Sequence, residues 1–401
     1  MDTEIAPGAR RRHSMGWFSP PPLPPPPQAL ALVAPHAGPY LCGLAFNIGA
    51  QILTVPFCIL AFHLKDRKLV LALLAVVTAV LPLFAQPAFA DYLVANGYAN
   101  SLDVIAGRFC SSSTFALVAF RILGAAMSQT PKGADADLAT WIAFATAACD
   151  PLFDKESGKP IKPSTTAVRE RLTLIVTRVL GLSVLLSIAL PAGVYPAKVF
   201  AEERQAGALG LAVAFYVDHV LVQLTILWLF LSLLYDIGCI LLDLQGLKPL
   251  AAFENPVYDS RSQRDFWGRK WNLQVTTTLK RCFFIPLRHH LGLPPSVAAT
   301  LTFVASALFH EYQFVLSFPK YQLGTISLFF VMHGGFSVLD TLYSKFFGKV
   351  SIVSLFGVPA FVQSLAVLAL FSPTIPLFTK IWLDEDMFSV MGRLVPQVRL
   401  Q

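Results

Sequence analysis

The feature that most constrains this chain is a series of apolar stretches, each long enough to cross a lipid bilayer. A transmembrane helix needs about 20 consecutive apolar residues. Eight such stretches occur, at 40–62, 69–90, 104–127, 172–196, 219–243, 295–318, 323–343 and 351–372. Only 14% of the 401 residues are charged, so a water-soluble globule could not cover its own surface. We therefore predict an all-α, polytopic integral membrane protein with about eight transmembrane helices.

One segment leaves the number of spans open. The apolar run 207–243 would measure about 55 Å as a helix, nearly twice the thickness of the hydrocarbon core. It is interrupted by Asp218 and His219, but no turn-forming residue divides it. We predict one span preceded by a helix that lies at the membrane interface. Two spans would instead invert the orientation of everything downstream.

Loop charge predicts the orientation in the membrane. The first, third (128–171) and fifth (244–294) loops are basic, whereas the second (91–103) contains only acidic charges and the fourth is mixed. Because basic loops remain on the cytosolic side, we expect the odd-numbered loops to be cytosolic. The formal net charge is +7. Basic clusters between spans orient helices and attract anionic headgroups or phosphorylated cofactors, so we expect no nucleic-acid partner.

The N-terminus differs in composition from the rest of the chain. Residues 1–28 contain two proline runs, and no apolar core follows Arg10–Arg12, so the segment does not resemble a cleavable signal peptide. We expect 1–28 to be a disordered proline-rich tail, a linker or alternatively a ligand for a proline-binding module. Residues 29–401 would form a single multi-span domain. The six cysteines include no CxxC pair, so no metal site is expected.

The fifth loop is the most informative stretch. From Phe253 to Asn272 it reads FENPVYDSRSQRDFWGRKWN and then continues as a basic run to Pro286. We predict a helix capped by Ser260 or Ser262. Residues three or four apart would share one face: Asp265, Gly268 or Arg269, Asn272 and Thr276. The simpler alternative is a surface helix with its tryptophans at headgroup level, which leaves unexplained a polar Asn272 among aromatic residues.

Ionisable residues also occur inside the predicted spans. His310 and Glu311 are adjacent in the stretch TFVASALFHEYQFV, and His333 follows in the next span. Such residues at membrane depth usually face a cavity and have a function. The alternative for His310 is a packing residue bonded to a neighbouring carbonyl. His333 could equally assist a site or pack.

These motifs resemble those of a known family. DFWGRKWN (265–272) is similar to the signature of plant-type wax synthases, a branch of the membrane-bound O-acyltransferase family. SALFHE (306–311) resembles the histidine motif of this family, and FFVMHG (329–334) a weaker third block. The resemblance covers 253–340 and departs from the plant pattern at Ala307, where glycine is usual. It implies helices surrounding an intramembrane reaction chamber, in the endoplasmic reticulum membrane.

The resemblance also implies a reaction and its residues. The reaction is wax ester synthesis from acyl-CoA and a long-chain fatty alcohol, with no permanently bound cofactor and no metal. His310 would be the general base, Asn272 an amide donor to the thioester carbonyl, and Glu311 an orienting residue. Residues implied to bind the phosphates and body of coenzyme A are Arg264, Arg269, Lys270, Trp271, Lys280 and Arg281. Residues implied to surround the site are Asp265, Trp267, Tyr312 and His333.

Other functions fit parts of the pattern. Diacylglycerol, a sterol or another hydroxyl compound could be the acyl acceptor, because the shape of the tunnel selects it. A proton-coupled transporter could use a relay of Asp218, His219, Asp236, the His310–Glu311 pair, His333 and Asp340. The absence of an internal repeat and the tryptophan-rich loop argue against transport. A non-catalytic scaffold would leave the His–Glu pair unexplained. The oligomeric state stays open.

Overall fold

The computed structural model describes residues 30–190, 207–348 and 359–400. The proposed tail, 1–28, lies outside the described residues. So do the last residues of the predicted span 172–196 and the first residues of the predicted span 351–372. In the described parts the long helices are α1 Ala37–His63, α2 Lys68–Ala95, α3 Ser101–Ala126, α5 Ala167–Ala189, α6 Gly207–Leu244, α10 Pro295–Ser317 and α11 Thr325–Phe347. The all-α architecture is thereby confirmed.

The shorter helices lie in the loops and toward the C-terminus. They are α4 Leu138–Thr146, α7 Gln263–Asp265, α8 Leu273–Leu279, α9 Ile285–His289, α12 Ala360–Phe371, α13 Ile375–Asp384 and α14 Met387–Leu394. Two strands, β1 Leu30–Val33 and β2 Gln397–Leu400, pair antiparallel with Leu30 opposite Leu400. The sequence analysis did not predict this small sheet, which lies outside the helical domain's apolar stretches.

Six of the described helices are long and apolar enough to cross a membrane: α1, α2, α3, α5, α6 and α11. The pair α12–α13, bent by 71°, would make a seventh if it counts as one span. The helix α10 forms where predicted, but His310, Glu311 and Gln313 lower its hydropathy, and it is not among the six. A multi-pass membrane protein is confirmed, and the number eight stays a prediction.

The segment 207–243 forms a single continuous helix. Its middle part, Tyr216–Gln223, is a π-helical turn, and no break divides Gly207 from Leu244. The two-span alternative is therefore wrong for these residues. The separate interfacial helix is also wrong, because its residues are the first turns of the same helix.

Helix α3 is the centre of the helical packing. It contacts α1, α2 and α10, while α10 also packs along α11, and α5 along α6. Close approach of α1 and α3 depends on Gly107, where an added Cβ would lie 2.4 Å from the Phe46 ring and 3.0 Å from the Cys42 carbonyl oxygen. The main apolar core joins buried side chains of α3, α5, α6, α10, α11, α13 and α14. Helix α10, which carries His310, thus lies between α3 and α11.

Candidate active site

The signature segment forms two short helices rather than the single helix predicted. The Ser262 hydroxyl oxygen accepts a hydrogen bond from the Asp265 amide at 3.0 Å, as expected for a cap. Helix α7 then runs into a π-helical turn, Phe266–Lys270, which ends at the extended residue Trp271. The predicted face joining Asp265 to Thr276 is wrong, because the backbone turns between Trp271 and Asn272.

Asn272 follows this break and begins the next helix. Its backbone is left-handed, with φ 43°, a conformation that asparagine tolerates better than most residues. Its Oδ1 atom accepts a hydrogen bond from the Val275 amide at 3.4 Å, which caps α8. Its Nδ2 group makes no hydrogen bond within the described residues. The amide of Asn272 therefore keeps a donor available beside its structural role.

The hydrogen bonds of His310 define which ring nitrogen carries the proton. Nδ1 lies 2.7 Å from the carbonyl oxygen of Ser306, and a carbonyl can only accept, so Nδ1 donates. In a neutral ring Nε2 then holds a lone pair, and this atom has no hydrogen-bond partner in the described parts of the chain. The ring stacks on Phe330, with centroids 3.9 Å apart. The hydrogen bonding of Nδ1 thus leaves the Nε2 lone pair available to accept a proton.

His333 has both ring nitrogens bonded. Nε2 lies 2.8 Å from the Thr374 hydroxyl oxygen, which itself donates to the Phe371 carbonyl at 2.8 Å. Nε2 must therefore carry the proton, and Nδ1 accepts the indole N–H of Trp267 at 3.3 Å. The His333 side chain is 0% exposed. With no free lone pair, His333 cannot accept a proton in this arrangement.

Trp267 connects the signature segment to α11, the helix that carries Phe330 and His333. Its ring lies 5.6 Å from that of Phe330, the residue on which His310 stacks. The Thr276 hydroxyl in turn donates to the Trp267 carbonyl at 3.0 Å, which ties α8 to the preceding turn. Trp267 thus contacts His333 directly and His310 through Phe330.

Glu311 points away from His310. Its carboxylate accepts hydrogen bonds from the Gly324 amide and from the Ser327 amide and hydroxyl, the latter two at 3.0 and 2.7 Å. These groups begin α11, where a negative charge is favourable. Tyr312 likewise points elsewhere and donates to the Ala79 carbonyl of α2 at 2.7 Å. Neither side chain is bonded to His310, because residues one and two positions further along a helix face about 100° and 200° away.

Replacement of Glu311 by alanine should therefore destabilise the protein. The helix α11 would lose a carboxylate that accepts three hydrogen bonds, at a cost of about 1.5–3 kcal/mol. Thermal unfolding in detergent measures this loss, and Gln313→Ala on the same helix provides a comparison. A large fall in turnover with unchanged unfolding temperature would contradict the anchoring role.

The basic residues of the fifth loop divide into two groups. Arg281 and Lys270 are committed to ion pairs, with Asp150 at 2.6 Å and Asp259 at 2.7 Å respectively. Arg264 and Lys280 are exposed and make no ion pair within the described residues. Arg269 is 75% exposed and lies 3.6 Å from Asp265. Trp271 is buried and stacks on Phe266. Arg264 and Lys280 are thus free to bind phosphate, whereas Arg269 is exposed but paired with Asp265.

A buried ionic network that sequence reasoning missed supports α8. The carboxylate of Asp150 contacts Arg121 of α3 at 2.9 Å, Arg281 at 2.6 Å and the Gln274 amide at 2.7 Å. Gln274 accepts the Asp150 backbone N–H in return, at 2.8 Å. The signal was Arg121 itself, because an arginine inside an apolar span requires a buried partner. The network fixes α8 only two residues beyond Asn272.

Replacement of Asp150 by asparagine should lower the free energy of unfolding by about 1.5–3 kcal/mol, because two arginines lose a charged acceptor. Burial alone would raise the pKa of Asp150, but Arg121, Arg281 and Gln274 together lower it below the ordinary 3.8. Its stabilising effect is therefore present above pH 3.8 and lost as the pH falls through the lowered value. Thermal unfolding at several pH values measures both effects.

The comparison variant is Asp259→Asn, whose exposed pair with Lys270 should contribute at most about 1 kcal/mol. Wild-type protein should lose stability more steeply than Asp150→Asn below pH 3.8. Equal pH slopes for these two proteins would contradict the network's role.

A cleft opens beside this network. It is lined by Arg121 and Gly124 of α3, by Thr278, Arg281 and Cys282, and by Phe120. The Phe120 ring lies 5.3 Å from that of Phe309, the neighbour of His310. The cleft is small and lies between α3 and the fifth loop, and one of its lining residues, Phe120, contacts the aromatic neighbour of His310.

The region that contains these residues is similar to known proteins. Residues 250–332 match the model of the membrane bound O-acyl transferase family. The probable long-chain-alcohol O-fatty-acyltransferases 7 and 9 of Arabidopsis thaliana are 33% and 32% identical over 94 and 131 residues, or 22% and 29% of this chain and 27% and 38% of theirs. The long-chain-alcohol O-fatty-acyltransferase of Simmondsia chinensis is 32% identical over 106 residues, 25% of this chain and 30% of that protein.

The matches cover a limited part of each protein. The chain spans 27% to 42% of the length of the curated relatives it matches. The matched segment nevertheless contains Asn272 and His310, the two residues whose free donor and free lone pair are described above. The signature region of this chain is thus similar to the membrane-bound O-acyltransferase family, and the named relatives support the resemblance to its plant wax synthase branch.

Proposed function

We propose that this protein is an O-acyltransferase that moves a fatty acyl group from acyl-CoA to the hydroxyl of a long-chain fatty alcohol. The product would be a wax ester, formed in the endoplasmic reticulum membrane. The observation that carries the proposal is the unpartnered Nε2 of His310, in a helix packed against the signature segment. The names of the relatives support the choice of a fatty alcohol over diacylglycerol or a sterol.

His310 is the proposed general base. An alcohol is a weak nucleophile until its proton is removed, and a neutral imidazole is suited to remove it. Nε2 takes the hydroxyl proton as the alcohol oxygen attacks the thioester carbonyl. The carbon–sulfur bond then breaks, the ester forms, and the proton passes from His310 to the coenzyme A thiolate. Nδ1, held by the Ser306 carbonyl, keeps the ring orientation fixed throughout.

Asn272 is the proposed donor to the carbonyl oxygen. Its Oδ1 is occupied by the Val275 amide, which orients Nδ2 away from that helix end. A fixed amide donor stabilises the negative charge that develops on the oxygen in the transition state. The Asp150 network, through Gln274, would hold this donor in place. Glu311 and Tyr312 would support the helices instead of taking part in the reaction.

Acyl-CoA would approach from the cytosolic side. Its phosphates cannot enter the hydrocarbon, and guanidinium groups suit phosphate oxygens. Arg264, Arg269 and Lys280 are exposed and would bind them, with Arg269 giving up its contact with Asp265, whereas Arg281 and Lys270 are less exposed and hold shorter pairs with carboxylates. The pantetheine arm would extend from this loop toward His310, and the apolar alcohol would arrive laterally from the bilayer.

The proposal is tested with purified full-length protein and one labelled acyl-CoA, offered hexadecanol, diacylglycerol and a sterol separately. Lipid chromatography should show wax ester from hexadecanol at the highest rate. Triacylglycerol or sterol ester as the main product would keep the reaction class and reject the acceptor. Solute transport into vesicles with no ester from any acceptor would reject acyl transfer.

A further inference from the structure

Two cysteines lie in contact outside the proposed active site. Cys149, in the segment after α4, and Cys239, on α6, have their Sγ atoms 3.0 Å apart. Both are free thiols and both are 0% exposed. They are 90 residues apart in sequence, so the contact is made by the fold and not by local chain geometry.

The backbone is arranged to allow this approach. Gly238 precedes Cys239, and a Cβ added there would lie 2.8 Å from the Ala148 Cβ and 3.3 Å from the Cys149 Sγ. The lack of a side chain at Gly238 lets the segment containing Cys149 lie directly on α6. Cys149 Sγ also lies 3.5 Å from the Tyr235 carbonyl, one helical turn before Cys239. The two sulfur atoms therefore face each other across a close contact between helix and loop.

We propose that Cys149 and Cys239 are an oxidation site that forms a reversible disulfide when the protein meets a peroxide. A disulfide has an S–S length of about 2.05 Å, so the sulfur atoms need to approach by only about 1 Å. One thiol reduces hydrogen peroxide to water and becomes a sulfenic acid. The second thiol displaces water from that sulfur, and the S–S bond forms. In total two thiols and one peroxide give one disulfide and two waters.

The disulfide would lie next to the Asp150 network, which supports α8 beside the proposed active site. Cys149 immediately precedes Asp150, whose carboxylate holds Arg121, Arg281 and Gln274. The Tyr235 hydroxyl of α6 donates to the Leu250 carbonyl at 2.8 Å and lies 3.3 Å from the Gln274 amide oxygen. The disulfide would fasten the Asp150 segment to α6. On the predicted cytosolic side the thiols would be reduced at rest, where disulfides are usually transient and redox-sensing.

The test maps disulfides in the folded full-length protein in detergent, before and after hydrogen peroxide. Remaining thiols are alkylated under denaturing conditions, and peptides are identified by mass spectrometry. Most molecules should yield a linked pair containing Cys149 and Cys239, and dithiothreitol should release it. Cys58→Ser, which replaces another buried thiol, should leave the linked pair unchanged. Cys239→Ser should abolish it.

A second measurement does not depend on any variant folding. Oxidised wild-type protein should unfold at a temperature several degrees higher than reduced protein, because a crosslink over 90 residues constrains the unfolded chain. Recovery of both cysteines as alkylated thiols after peroxide would overturn the proposal, as would a link from Cys149 to another cysteine in equal amount. Neither outcome depends on the proposed acyl transfer, which is assayed separately.

Discussion

Replacement of His310 by alanine should lower wax ester formation by about 10²–10⁴-fold, the range typical for loss of a general base. The alcohol would lose the acceptor proposed for its proton, the Nε2 atom of His310. The initial rate with saturating acyl-CoA and hexadecanol measures the effect. Membrane insertion should be retained, and the unfolding temperature, measured on the same preparation, accounts for the loss of the stack on Phe330 and of the hydrogen bond to the Ser306 carbonyl.

The matched comparison is His289→Ala, which removes an exposed histidine at the end of α9 and should retain full activity. His333→Ala should reduce the rate less than His310→Ala, because His333 acts through Trp267 and Phe330. If His310→Ala keeps the wild-type rate, the base has been assigned to the wrong residue. If His333→Ala is the more damaging change, the two histidines have been reversed.

Replacement of Asn272 by aspartate should lower turnover by about 10²–10³-fold, the cost of removing one donor to an oxyanion. Aspartate also tolerates the left-handed backbone and can accept the Val275 amide, so the fold should be retained. What it lacks is the Nδ2 donor. Turnover and unfolding temperature, measured on the same preparation, separate the chemical contribution of this side chain from its structural one.

A second asparagine provides the control. Asn255 also has a positive φ, 52°, in the same loop, and Asn255→Asp should leave turnover unchanged. Asn272→Ala should lose both stability and turnover, because alanine provides neither cap nor donor. Wild-type turnover in Asn272→Asp would reduce Asn272 to a helix cap and remove it from the proposed chemistry.

The sequence was sufficient for the membrane class and for several helices. The apolar stretches predicted α1, α2, α3, α10 and α11 to within a few residues at most ends. This succeeds because in a bilayer the backbone must satisfy its own hydrogen bonds, so an apolar stretch of this length has few alternatives to a helix. The cap at Ser262 was also predicted, since it depends only on local residue types.

Predictions that depended on partners distant in sequence were less successful. Helical periodicity placed Asn272 in mid-helix, but burial of Phe266 and Trp271 against α12 and α13 ends the turn before it. The family resemblance implied that Glu311 orients the site, whereas the chain returns to place Ser327 beside its carboxylate. The sequence around Arg281 indicated no partner for it, whereas the fold places Asp150, 131 residues earlier in the chain, in contact with its guanidinium. Such pairings are not encoded in local spacing.

The bend between α12 and α13 determines how far a truncated form of this protein must extend, because Thr374 lies at that bend. Thr374, which receives the imidazole N–H of His333, lies 42 positions beyond the last residue matched by the family model, 332. A chain ended anywhere between 348 and 373 would retain each residue of the signature and both histidines. It would still leave His333 without a hydroxyl to fix its tautomer, and Trp267 would then lose a defined acceptor. The smallest functional piece therefore extends well past the segment by which the family is recognised.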